Sequence, residues 1–191
     1  MKIIMINAMK RAGKDHTARL LKSKLPNSEI YAFADPIKEI ASKSLQMTVR
    51  TFDEYKNSDT DLLIAHEDGD TSHVSSFREF IQNLGSDAMK SVFGKTVWTD
   101  LLIRKIKEDA PEYCIISDFR FFTEYEEIEK FAMYYEDELI SLKIRNDNVT
   151  NNDSHVSENE LNDFTFDYEV DNTDHSKLEE NLDGFIHEYL R

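Results

Sequence analysis

Short apolar runs alternate along the chain with stretches whose apolar residues recur every three or four positions, the rhythm of a parallel sheet covered by helices. The runs that read as strands are 2–7, 29–34, 113–117, 139–145 and 166–172. Each is rich in Ile, Tyr, Phe or Val, which suit a pleated, buried surface. Phe122, Tyr125, Ile128, Phe131 and Tyr135 share one helical face, as do Leu178, Leu182, Phe185, Ile186 and Tyr189, and both stripes read as core packing. Ser176 and Glu179 have the spacing of a capping box for the last helix. The pattern predicts an α/β fold with a central parallel sheet of about five strands flanked by helices.

Two segments break the rhythm. Residues 53–70 hold seven acids and one lysine and include Gly69, which reads as a flap or insertion spanning about 50–76. A second polar stretch, 146–162, separates two strand candidates and reads as a lid-like segment. Neither has the composition of a linker, and a chain of 191 residues is expected to form a single domain over 1–191.

Charge sharpens the picture. The formal net charge is −15, yet residues 1–24 hold seven Lys/Arg against one acid, a local +6 that leaves −21 over the remainder. Such an acidic body repels a nucleic-acid backbone, so a polymer partner is disfavoured, while the basic island suits a small anion. Six scattered histidines do not suggest a zinc site. The single cysteine, Cys114, cannot form an internal disulfide and fits a reduced, cytoplasmic setting. No apolar run approaches the roughly 18 residues of a membrane span, so no membrane partner is expected.

The strongest local signal is the passage from the first strand through Lys10-Arg11-Ala12-Gly13-Lys14-Asp15 into a helical pattern. A phosphate-binding loop needs this context: backbone amides at the turn point at the anion, Gly13 permits close approach, and Lys14 reaches the terminal phosphates. Ala8 occupies the position of the motif's first glycine, and Asp15 stands where Ser or Thr usually binds magnesium. A Gly-Lys pair in a basic loop also serves as a plain strand-to-helix turn.

Beyond the strand at 113–117, Asp118 and Arg120 would emerge at the carboxyl edge of the sheet, where open α/β folds bind ligands. A carboxylate there can hold magnesium or orient a nucleophile, and a guanidinium can grip a phosphate in two places. The alternative is an Asp-Arg pair that fixes the loop, with Glu124 capping the next helix. Arg78 and Gln82 lie one turn apart on a helical pattern, placing a phosphate clamp and a base-reading amide on one face. Trp98 offers either a stacking platform or core packing. In Phe33-Ala34-Asp35-Pro36-Ile37-Lys38, Asp35 is suited to cap a helix that Pro36 opens.

Taken in order, Lys10-Arg11-x-Gly13-Lys14-Asp15, Phe33-x-Asp35-Pro36-Ile37-Lys38, Arg78-x-x-x-Gln82-x-Leu84-Gly85, Trp98, Asp118-x-Arg120-x-x-x-Glu124, Arg145 and His155-x-Ser157-Glu158 resemble the deoxynucleoside monophosphate kinases of tailed bacteriophages. The likeness spans nearly the whole chain. It implies a P-loop kinase fold and magnesium-dependent transfer of the ATP γ-phosphoryl group to a deoxynucleoside monophosphate. It also implies roles: Lys10, Arg11, Gly13, Lys14, Asp15 and Thr17 at the donor phosphates, with Asn172 and Thr173 facing the adenine. Asp35, Lys38, Arg78, Gln82, Trp98, Asp118, Arg120 and Glu124 would surround the acceptor. Lys14, Arg78, Asp118 and Arg120 would be the catalytic set, and Asp15 the metal ligand.

His16 stands where the family usually has Thr, which leaves Thr17 as a nearby hydroxyl. Two other readings stay open: a small P-loop kinase acting on dephospho-coenzyme A or a sugar acid, and a catalytically silent nucleotide-binding or interaction protein. A homodimer is compatible with all three.

Overall fold

The computed structural model describes residues 1–58, 60–64, 73–149 and 160–190. It divides into two compact units, one of Met1–Phe33 with Thr99–Arg191 and one of Ala34–Trp98.

The first unit is built on a five-stranded parallel sheet of β1 (Lys2–Ala8), β2 (Ser28–Tyr31), β5 (Tyr113–Ile116), β6 (Glu138–Arg145) and β7 (Tyr168–Asp171), in the order β2-β5-β1-β6-β7. All five predicted strands are present. Alternation along them feeds two apolar layers, because successive side chains point to opposite faces. Ile4 and Ile6 of β1 join Ile115 and Leu142 on one face, with Ala18 and Leu21 from α1 (Lys14–Lys24) and Leu182 and Phe185 from α8 (Leu178–Tyr189). Ile3 and Met5 join Cys114 and Ile116 on the other, with Ile106 from α6 (Val97–Asp109) and Ile128 and Phe131 from α7 (Phe122–Tyr135). Both faces of β1 are thereby buried, as a central strand of a helix-covered parallel sheet requires.

One local expectation changes. Asp174, not Ser176, provides the cap before the last helix: its carboxylate accepts from the Ser176 backbone N–H at 3.1 Å and from the Ser176 hydroxyl at 2.7 Å, capping a 3₁₀ turn over His175–Lys177. The α8 helix follows from Leu178 without a side-chain cap at Lys177, so Glu179 closes no capping box. The reason is the intervening turn, which shifts the helix start two residues past Ser176.

The second unit contains α2 (Asp35–Ser44), α3 (Val49–Asn57), an antiparallel pair β3 (Asp61–Ile64) and β4 (His73–Ser76), α4 (Phe77–Gln82), a π-helical stretch Asn83–Lys90 and α5 (Ser91–Phe93). Its buried core is small: Ala41, Phe52, Leu62 and Phe77. The expected insertion at about 50–76 falls inside this second unit, which runs from Ala34 to Trp98. The acidic run contributes the end of α3 and β3, while 59 and 65–72 lie outside the described residues. The same holds for 150–159 of the lid-like segment, including His155, Ser157 and Glu158.

Candidate active site

The loop after β1 is a tight, left-handed turn. The Ala12 N–H donates to the Met9 carbonyl at 3.0 Å, and Arg11 (φ 69°) and Gly13 (φ 101°) both occupy the left-handed region. Gly13 is the residue before α1, and its carbonyl accepts the Thr17 N–H at 2.9 Å. The first N–H groups of α1 therefore face the loop without intrahelical partners, the arrangement that binds anions at helix N-termini. Lys10 and Arg11 are exposed beside it. The Lys14 ammonium lies 2.5 Å from the Asp15 carboxylate, which is 66% exposed.

Thr17 does not present a hydroxyl to this loop. It is 0% exposed and lies on the helix stripe with Ala18 and Leu21, and its Oγ1 has no hydrogen-bond partner. Helical periodicity explains the placement, since positions 14, 17, 18 and 21 share a face and the apolar members dictate which way it turns. Asp15, by contrast, keeps its carboxylate exposed at this turn.

Asn172 is likewise placed differently from the expectation that it faces an adenine. It is 1% exposed, its Nδ2 donates to the Ala12 carbonyl at 2.7 Å, and its Oδ1 is 2.8 Å from His175 Nδ1. Thr173 keeps a more open position, its Oγ1 accepting from the Asp147 N–H at 3.1 Å and its carbonyl from Asn148 Nδ2 at 3.0 Å. These bonds tie the turn after β7 to the turn after β6, as does the Arg145–Asp171 pair at 3.2 Å. The sequence signal for Asn172 is its spacing: it follows Tyr168 and Val170 of β7 at steps of two, so a polar residue continues an alternating apolar pattern just past the strand end. His16 and His175 place their rings 5.1 Å apart, a contact across the same loop that sequence reasoning missed.

The second cluster lies beyond β5, beside β1. The Asn7 amide donates to the Phe119 carbonyl at 2.9 Å and the Phe119 N–H to the Ile6 carbonyl at 3.2 Å, so the two loops are joined through backbone. Asp118 Oδ1 accepts the Phe33 N–H at 2.8 Å, fixing the carboxylate at the carboxyl edge of the sheet. Glu124 Oε2 accepts the backbone N–H groups of Arg120 and Phe121 at 2.9 and 3.0 Å. Glu124 is thus the N-terminal cap acceptor of α7, and it sets the backbone from which Arg120 projects. Lys14, at the start of α1 after β1, and Asp118 and Arg120, in the loop after β5, thus follow neighbouring parallel strands.

The remaining candidates belong to the second unit. Asp35 is the first residue of α2, with Ala34 in the cap position, so it does not cap the helix as expected; Pro36 occupies the first turn. Its charge at a helix N-terminus is still favourable. The Lys38 ammonium lies 3.3 Å from Asp53, which also holds Lys56 at 2.7 Å. Burial alone would raise the Asp53 carboxyl, but the Lys56 hydrogen bond and the two lysine charges outweigh it and hold it below the ordinary carboxylate value. Arg78 is half-buried and Gln82 exposed on α4, one turn apart. Trp98 is 4% exposed and donates from Nε1 to the Gly85 carbonyl at 3.0 Å, so its ring packs rather than offering an open stacking face. A Cβ on Gly85 would sit 3.2 Å from the end of the Ile37 side chain, so the two pack closely.

A glycine-lysine turn at the carboxyl end of the central strand of a five-stranded, helix-covered parallel sheet defines the first unit as an α/β fold. The model of one family, deoxynucleotide monophosphate kinase, matches residues 2–69 and 57–182. The chain belongs to that family of nucleotide kinases. Among solved structures, the tunicamycin resistance protein of Deinococcus radiodurans is similar at 14% identity and a TM-score of 0.46, over 97% of this chain and 95% of that one. No curated protein sequence matches. No helix of the described residues is long and apolar enough to cross a membrane.

Proposed function

We propose that the chain transfers the γ-phosphoryl group of ATP to a deoxynucleoside monophosphate, yielding the deoxynucleoside diphosphate and ADP. The observation that carries this reading is the family match across 2–182, which includes the Gly13-Lys14 loop and the Asp118-x-Arg120 edge. Phosphoryl transfer asks a protein for alignment and charge neutralisation more than for a covalent nucleophile. In this reading the amides at Gly13 and the first turn of α1 cradle the donor phosphates, and Lys14 neutralises their charge, with Lys10 and Arg11 beside them. Thr173 lies toward the base of ATP. Arg120 and Arg78 hold acceptor phosphate, Asp118 orients the acceptor, and Gln82 reads its base. Asp35 and Lys38 belong to the acceptor side. Trp98, Glu124, Thr17 and Asn172 support the site through packing and backbone hydrogen bonds.

The donor set suits magnesium, a hard cation held by one or two carboxylates together with substrate phosphates and water. Asp15, exposed at the first turn of α1, would hold it, with Asp118 the second carboxylate at the same sheet edge. When bound, the ion supplies charge neutralisation for the phosphate oxygens. The −21 carried outside residues 1–24 supports a small-molecule over a nucleic-acid partner. A reduced, cytoplasmic setting agrees with Cys114, which is buried and whose thiol burial pushes well above its ordinary pKa.

The test is ADP release from ATP and magnesium with each common deoxynucleoside and ribonucleoside monophosphate, dephospho-coenzyme A and a panel of sugar acids. Turnover is expected with one or more deoxynucleoside monophosphates. Turnover confined to dephospho-coenzyme A or a sugar acid would assign a different small-molecule kinase. ATP binding without turnover on any acceptor would assign a silent nucleotide-binding protein.

A further inference from the structure

We infer that Asn172, oriented by His175, is a positioning residue that sets the phosphate-binding loop from beneath rather than touching nucleotide. The inference deepens the kinase reading and rests on it.

Three observations converge on the Asn172 amide. First, it reaches across the fold from the end of β7 to the Ala12 carbonyl, at 2.7 Å and nine-tenths or more buried at both ends, since Asn172 and Ala12 are each 1% exposed. Second, its own backbone is pinned, the Asn172 N–H donating to the Arg145 carbonyl at 2.7 Å. The brace therefore stands on the sheet. Third, Asn172 Nδ2 occupies the space a Cβ on Gly13 would take, so the amide packs directly under the left-handed residue.

The geometry of the peptide bond turns this anchor into a functional device. The peptide between Ala12 and Gly13 is planar and trans, so its C=O and N–H point in opposite directions. With the Ala12 carbonyl held on Asn172, the Gly13 N–H is directed away from Asn172, toward the open side of the loop. A donor aimed before the ligand arrives costs no reorganisation when charge develops on a phosphate oxygen.

The network also dictates how Asn172 is held. The Ala12 carbonyl can only accept, so it must face the amide NH₂, which leaves Oδ1 toward His175. His175 Nδ1, 2.8 Å away, must then carry a proton and donate. A donating ring on Oδ1 opposes a flip of the amide, which would set two carbonyl oxygens against each other. His175 itself is exposed and its ring lies against His16 of α1, so it joins the last turn to the first helix.

The experiment measures KM for ATP, KM for the acceptor, kcat and thermal stability in wild type, Asn172→Leu and His175→Ala, with equilibrium binding of a fluorescent ATP analogue alongside. Asn172→Leu keeps approximate volume and removes the donor. It is expected to raise KM for ATP about tenfold, with acceptor KM within about twofold, because a loop misplaced by a fraction of an ångström loses donor alignment specifically. His175→Ala is expected to raise KM for ATP about threefold with little change in melting temperature, as loosening an orienting hydrogen bond acts through Asn172. Folded Asn172→Leu with wild-type KM for ATP overturns the brace, as does a loss of melting temperature with both KM values unchanged. Should Asn172→Leu not fold, His175→Ala at its exposed position still decides: an unchanged KM for ATP and unchanged analogue affinity overturn the proposal. A wild-type chain that fails to bind the ATP analogue overturns the kinase reading instead, a result separable from wild-type turnover with silent variants.

Discussion

The two compact units hold their candidate residues by different means. In the unit of Met1–Phe33 with Thr99–Arg191, polar side chains are locked onto backbone: Asn172 on Ala12, Asn7 on Phe119, Asp118 on Phe33 and Glu124 on Arg120 and Phe121. These bonds sit at the carboxyl ends of the strands of one parallel sheet, so the groups that hold the loops are anchored on a common hydrogen-bonded scaffold. In the unit of Ala34–Trp98 the buried apolar cluster among the described residues is Ala41, Phe52, Leu62 and Phe77, and Lys38 and Lys56 converge on the half-exposed Asp53. Ion pairs of that kind are worth little and exchange partners readily. The contrast teaches that one unit presets donor geometry through backbone direction, whereas the other offers charged groups whose partners can change.

The strongest way to break this comparison is Phe52→Ala. Phe52 is 0% exposed and packs edge-on to Phe77 at 5.5 Å, so its loss is expected to cost about 3–5 kcal/mol. Amide hydrogen exchange should show faster exchange across 35–57 while β1, β5 and β6 keep their protection. Equal loss in the sheet would show that the small core does not stand on its own. Lys14→Ala comes next, with at least about a hundredfold lower kcat/KM, or about 2.7 kcal/mol, and a melting temperature near that of wild type. Near-normal turnover would remove the phosphate loop from the mechanism.

The smallest expected effect concerns pH and sharpens the ion-pair side. The Asp53 carboxyl titrates lower in the folded than in the unfolded chain, so the unfolded state binds the extra proton as pH falls. Its contribution is present above the ordinary carboxylate value near 3.9 and is lost as pH drops through the lower folded value. Screening at a partly exposed site keeps it at about 1 kcal/mol or less. Wild type should therefore be more stable than Asp53→Asn at pH 7, and the difference should shrink as pH falls below the ordinary carboxylate value of about 3.9. A constant difference across that range would assign the effect to packing rather than charge.

Much of the first unit is legible in the chain because period-2 and period-3.6 patterns are local. Ile3 to Ile6 alternate between two layers, and Phe122 to Tyr135 mark one helix with the observed bounds. The second unit is harder to read for the same reason. Its β3–β4 pair hides in an acidic run, its helices are short, and the π-helical stretch Asn83–Lys90 has no distinct periodicity in sequence. The shift of the last cap from Ser176 to Asp174 turns on a 3₁₀ turn of three residues, a difference smaller than spacing rules resolve.

By itself the sequence determined the strand order of events along the chain, the glycine-lysine turn, the basic amino-terminal island and the family to which these belong. Gly13, Lys14, Asp118 and Arg120 could be named because each follows an apolar run at a strand end. Only the tertiary structure decided what supports them. Thr17 went into the core because its helix stripe is apolar, Trp98 was spent on Gly85, and Glu124 turned to two backbone amides. The Asn172 brace depends on a contact between residues 160 positions apart, brought about by β6 pairing between β1 and β7. Local patterns specify which face a residue turns to; strand pairing alone specifies which distant residue waits there.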